Sequence, residues 1–112
     1  MNKEQVRLAL KAGTKAGLSL NMVERFSGEL GIDKRCGKAG DTTKFNPWTD
    51  LHDAMLIALA CCDGATWDDD FFTIYPKGSV NDKDMKLGRI SGVDDSTRIY
   101  NIGNAIVNAA NT

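Results

Sequence analysis

The chain has 112 residues, with 14 Lys plus Arg against 15 Asp plus Glu, 42% hydrophobic residues and 3 cysteines. A chain of this length builds one core, burying about 60–70% of its unfolded surface, which excludes two domains with a cleft between them and excludes a wholly disordered chain. A formal net charge of -1 excludes the bulk positive excess of a nucleic-acid coat.

The N-terminus is charged and lacks the apolar run of a signal peptide, and the longest apolar stretch, 54–62, is nine residues, about half of a membrane span. The expectation is a soluble, cytoplasmic protein with no membrane contact. Residues 2–11 read as a first helix: Asn2 and Gln5 make a capping box, and Val6, Ala9 and Leu10 form an apolar stripe that Gly13 and Gly17 weaken. Asn21 and Glu24 have capping-box spacing for a second helix, with Leu20, Val23, Phe26 and Leu30 on one face and Gly31 as its stop. Residues 1–31 are thus an N-terminal helical part. Residues 32–46 read as a basic loop carrying Lys34, Arg35, Lys38 and Lys44.

Residues 45–110 read as the main α-β-β-α core of a single domain, 1–112. Phe45, Pro47 and Trp48 lead into a helix capped by Thr49 or Asp50, whose apolar stripe is Leu51, Ala54, Met55, Ala58, Leu59 and Cys62, with Asp63-Gly64 as its end. Residues 71–75 have strand composition, stopped by Pro76, and 85–90 alternate as a second strand. Asp95 or Ser96 caps a last helix with Ile99, Ile102, Gly103, Ile106 and Ala110 on one face. The predicted class is α+β: a short antiparallel sheet, a β-hairpin, packed between helices as an α-β-α sandwich. A lone hairpin is marginal in water, so pairing with a second copy through an edge strand, as a homodimer or higher homo-oligomer, is also expected.

Charge is unevenly spread, with 9 basic and 5 acidic residues in 1–44 and 5 basic and 10 acidic in 45–112. Few motifs carry chemistry. His52 is the single histidine and reads as an exposed helix-start residue without a triad partner or zinc-ligand spacing. The Asp68-Asp69-Asp70 run reads as solvated, and the loop opened by Asp82 and Asp84 has Leu87 and Val93 where a calcium loop needs Gly and Glu. The three cysteines form no Cys-x-x-Cys pair; Cys62 reads as a small core residue and Cys36, beside Lys34, Arg35 and Lys38, as the more reactive thiol. No catalytic residue, metal site or cofactor is expected.

Two kinds of binding residue remain. Lys34, Arg35, Lys38, Arg89 and Arg98 are candidates for a small anionic ligand of nucleotide type. Trp48, Trp67 and Tyr75 are candidates for a protein interface. Nucleic acid is disfavoured, because the second predicted helix carries Arg25 between Glu24 and Glu29.

The aromatic-Asn-Pro-Trp entry with the following Asp53-Ala54 helix, the Trp67-containing strand region and the Ala-rich closing helix through Asn104-Ala105-Ile106 resemble small bacteriophage and prophage proteins of the phage ABA sandwich domain type. That resemblance implies an α-β-α sandwich, a phage origin, location in the host cytosol and no catalytic residues to carry over. The expected function is a non-enzymatic phage accessory protein that binds and modulates a host target such as a defence component. The alternative is an oligomeric binder, or sponge, of small anionic ligands.

Overall fold

The computed structural model describes residues 1–37, 40–79 and 82–112. Its order is α1 (Lys3–Lys15), β1 (Leu20–Glu24), β2 (Leu30–Cys36), β3 (Asp41–Lys44), α2 (Leu51–Cys61), β4 (Cys62–Trp67), β5 (Phe71–Pro76), a 3-10 turn (Asp82–Asp84), β6 (Lys86–Arg89) and α3 (Asp95–Ala110). The chain is α+β, as expected, but it holds two three-stranded antiparallel sheets, ordered β1-β2-β3 and β4-β5-β6, in place of one hairpin. The first sheet rests on α1, the second on α3 and, through β4, on α2, and the three helices touch one another.

The first helix begins as predicted, with the Asn2 side chain accepting from the Gln5 N–H and Gln5 returning the bond to Asn2 N–H. It runs on to Lys15 through Gly13, which is buried against the Leu20 side chain. The second predicted helix is instead a hairpin. Leu20 pairs with Lys34 and Met22 with Ile32, around a turn in which Arg25 N–H donates to the Glu29 carbonyl and Gly28 takes a φ of +78°. A helix through this stretch would carry Gly28 in its interior at a cost of about 1 kcal/mol relative to Ala, whereas the turn uses its left-handed conformation. The predicted basic loop is likewise two strands, with Asp33 opposite Lys44 and Lys34 opposite Thr43. Its polar composition fits, since every residue of β3 is exposed.

The main helix starts where the sequence places it, with the Asp50 carboxylate accepting from His52 N–H. Its buried face differs in part: Ala54 and Ala58 turn inward as expected, but with Ile57 and Cys61, while Leu51, Met55 and Leu59 are exposed. This helix is apolar nearly all round, so spacing alone cannot choose which side meets the core. Cys61 rather than Cys62 is the buried cysteine, and Cys62 already begins β4. That strand is absent from the sequence reading because Cys62-Asp63-Gly64 resembles a helix stop; the structure absorbs it as a bulge between Cys62 and Gly64. The core segment is therefore α-β-β-β-α.

The closing helix is capped by Asp94, one residue earlier than expected, through a bond from Thr97 N–H. It buries Ile102, Gly103, Ile106 and Ala110 as predicted. Gly103 packs directly on the Pro47 carbonyl, and a Cβ at Gly88 of β6 would lie 2.6 Å from the Asn101 carbonyl oxygen of α3. Both glycines let backbone meet backbone. Replacing Gly103 with Ala drives a methyl group into the Pro47 peptide, and overpacking of this kind costs about 1–3 kcal/mol or more. Urea unfolding of Gly103→Ala should show that loss through a lower midpoint, and an unchanged midpoint would contradict the packing described.

Candidate functional site

The sequence-predicted cations do not converge. Lys34 and Arg35 are neighbours on β2, so their side chains leave opposite faces of the first sheet. Arg89 belongs to β6 and Arg98 to α3, on the other sheet's side. Arg89 Nε donates to the Ser91 carbonyl, and Arg98 donates to the Ile90 carbonyl and pairs with Asp95 at 2.8 Å. Lys38 lies outside the described residues. Cys36 is half-buried, 3.5 Å from the Thr43 hydroxyl.

The predicted interface aromatics also separate. Trp48 is 2% exposed, and its indole N–H donates to Asn104 Oδ1 at 3.1 Å, so it anchors the core and not an interface. Its neighbourhood holds a cleft of about 400 Å³ lined by Trp48, Thr49, Ser96, Thr97, Ile99 and Tyr100. Trp67 is 58% exposed at the end of β4, its ring tilted on Phe72 with centroids 4.8 Å apart. Tyr75 is half-buried on the far side of β5.

The second sheet has two unlike faces. Phe72, Ile74 and Gly88 are buried toward α3. The alternating residues Phe71, Thr73 and Tyr75 of β5 lie on the outer face, with Leu87 opposite Thr73, Arg89 opposite Phe71 and Thr66 across on β4. None of these six is buried, and Leu87 is 52% exposed. At the Tyr75 end the face runs into a cleft of about 310 Å³ lined by Asp63, Gly64, Tyr75, Ser79 and Asp82. An aromatic ring beside two carboxylates suits a cationic side chain, through charge pairing and contact with the ring face. The sequence hinted at this surface through the Phe71, Thr73, Tyr75 alternation; Leu87 was the residue missed, because β6 is short and its register cannot be read from composition.

Among the described residues, no group of three or more His, Cys, Asp or Glu side chains is placed to hold a metal ion, and no helix is long and apolar enough to cross a membrane. His52 is exposed at the start of α2. Compared with protein-family models, curated proteins and solved structures, the chain matches none.

Among the described residues one charged group is buried. Asp53 is 4% exposed, and its carboxylate accepts from Asn46 N–H at 2.9 Å. Burial raises its pKa above the ordinary 3.8, partly opposed by that hydrogen bond. The folded state therefore holds the Asp53 proton more tightly than the unfolded chain, so this group's contribution is greatest at low pH and falls as pH rises through the folded value. The Asp53→Asn variant keeps an acceptor oxygen without the charge. Its stability relative to wild type should improve between about pH 3 and pH 7, while Asp53→Ala, which orphans the Asn46 N–H, should lose about 1–3 kcal/mol. Denaturant titrations across this range check both, and a pH-independent difference for Asp53→Asn would overturn the desolvation argument.

Proposed function

We propose that this chain is a non-enzymatic accessory protein that binds a protein partner through the outer face of its second sheet. The observation that carries this reading is the uncovered face itself: aromatic and aliphatic side chains of β5 and β6, among them the exposed Phe71 and Leu87, with an acidic cleft at the end of β5. Large apolar side chains rimmed by charge are the composition of protein-binding surfaces. The partner chemistry that fits is an apolar surface followed by a Lys or Arg side chain, the latter entering beside Tyr75, Asp63 and Asp82. The likeness of the 45–110 region to phage ABA sandwich proteins supports a phage origin, with a host protein as the target in the host cytosol. A defence component is one such target. The alternative, a binder of small anionic ligands, has less in its favour, because its candidate cations sit on two different sheets and the Arg98 guanidinium is engaged within the chain.

The test is capture from host lysate by the full chain and by Phe71→Ala and Leu87→Ser variants, whose positions lie outside the core. A specific partner should be retained by wild type and weakened at least about tenfold by either change, as expected where an exposed side chain becomes a buried anchor. Equal capture by all three proteins would overturn the assignment of this face. Thermal stabilisation by a nucleotide, about 2.7 kcal/mol at one hundred times its dissociation constant, would support the alternative instead.

A further inference from the structure

We propose that two copies of this chain associate through β4 and α2, with β4 pairing antiparallel to β4 of the second copy about a two-fold axis perpendicular to the sheet. This interface lies on the edge and the helix-covered side of the second sheet, away from Phe71 and Leu87, and meets the acidic cleft assigned above to the partner's cation at Asp63 and Gly64.

The edge is suited to pairing. β4 is the outermost strand of its sheet, and Asp68 N–H donates to the Phe71 carbonyl. With Trp67 opposite Phe72 and Ala65 opposite Ile74, strand alternation then turns the N–H and C=O groups of Ala65 and Trp67 away from β5, toward the open edge. Residues 64–67 contain no charge and no proline, the usual devices that blunt an edge. The opposite edge, β6, carries Lys86 and Arg89.

The apolar surface beside this edge continues onto α2. Ala65 and Trp67 share the face of Phe72 and Ile74, but α3 contacts chiefly β5 and β6. What lies next to β4 on that side is a groove of about 210 Å³ lined in part by Met55, Leu59, Cys62 and Ala65. Leu51, Met55 and Leu59 follow one another at single-turn spacing along α2, all exposed, and Leu59 is 78% exposed. A helix that is apolar on all sides belongs inside a core, and this chain covers one side of it. Pairing the β4 edges about the stated axis puts both α2 helices on the same side of a six-stranded sheet, so each stripe faces its counterpart and the two Trp67 rings.

Charge selects a second copy in this orientation. The Trp67 end of β4 runs into Asp68, Asp69 and Asp70, all exposed. At its Cys62 end Lys77 N–H donates to the Cys61 carbonyl, and Lys15 and Lys77 line one cleft with Cys61. Asp63 also lies at this end, its carboxylate accepting from Gly78 N–H. The Lys15 ammonium is held by the Ala110 carbonyl, so Lys77, with Asp63 beside it, is the cation that antiparallel pairing sets toward the aspartate run of the other copy, twice over, whereas parallel pairing would oppose like ends.

The experiment is sedimentation equilibrium of the full chain over a range of concentrations, with amide hydrogen exchange at both ends of that range. Wild type should approach twice 12.2 kDa, with the Ala65 and Trp67 amides slowing as concentration rises. Leu59→Lys, at an exposed position, and Ala65→Pro, which removes an edge N–H, should each raise the dissociation constant at least about tenfold, with far-ultraviolet circular dichroism confirming that they fold. A wild-type chain that stays at 12.2 kDa throughout would overturn the proposal. So would a dimer that survives both substitutions with freely exchanging Ala65 and Trp67 amides, because it would use another surface.

Discussion

Residues 45–48 hold the two halves of the molecule together, and the clamp on them is the constraint that the remaining structure obeys. Phe45 N–H donates to the Ile32 carbonyl of the first sheet, and one residue on, Asn46 N–H meets the buried Asp53 carboxylate of α2. Asn46 also caps the local turn, its side chain accepting from Trp48 N–H and its carbonyl from Asp50 N–H. Trp48 then bonds Asn104 of α3, one residue from the Gly103 that lies on the Pro47 peptide. Four residues thereby fix the first sheet, the start of α2 and the position of α3. The links through Asp53, Asn46 and Asn104 are partly buried, and where a partner is lost from a buried site the unpaired polar group costs about 1–3 kcal/mol. The buried carboxylate is tolerated because it organises this junction.

With the helices fixed in this way, the second sheet receives incomplete cover. α3 crosses over β5 and β6, and the close approach at Gly88 leaves it little freedom to shift toward β4. α2 passes directly into β4, and a groove remains between Met55 and Leu59 of the helix and Ala65 of the strand. Among the described residues no other element covers the overhang. The apolar side chains left outside, Leu51, Met55, Leu59 and Trp67 on one side and Phe71 and Leu87 on the other, follow from that geometry. The two proposed contacts, one along the sheet's edge and one across its outer face, meet at Asp63 and Gly64.

The elements that could be read from sequence were those whose signals are local. The Asn2 and Gln5 pair marked the start of α1 and the Thr49 or Asp50 cap that of α2 to within a residue, whereas the Asn21 and Glu24 pair misled, and the Ile102, Gly103, Ile106 spacing marked the buried side of α3. The β1–β2 hairpin was hidden because Leu20, Val23, Phe26 and Leu30 also suit a helical spacing, while the Gly28 turn that decides the matter is a single residue. β4 was hidden by an Asp-Gly pair that marks a bulge in place of a helix end. The inward side of α2 was read only in part, since a helix apolar nearly all round has little periodicity to report. Its spacing stripe mixes the buried Ala54 and Ala58 with Leu51, Met55 and Leu59, which the isolated fold leaves uncovered. The candidate cations were legible as residues but not as a site, because convergence depends on which sheet each strand joins.

The charge asymmetry of the sequence survives folding. The Arg7–Glu4 and Arg25–Asp33 pairs lie within the basic first part, and the Arg98–Asp95 pair within the acidic second. The acidic part is also the part with the open sheet, so the surface with the most exposed apolar side chains carries the charge that attracts a basic partner. The same field sets two copies of the chain against each other at long range, since their acidic parts must approach. Across a Debye length of about 8 Å at physiological ionic strength such repulsion is largely screened. In the proposed dimer, charge at the strand ends would set the direction of pairing, and burial of Leu59 and Trp67 would supply the affinity.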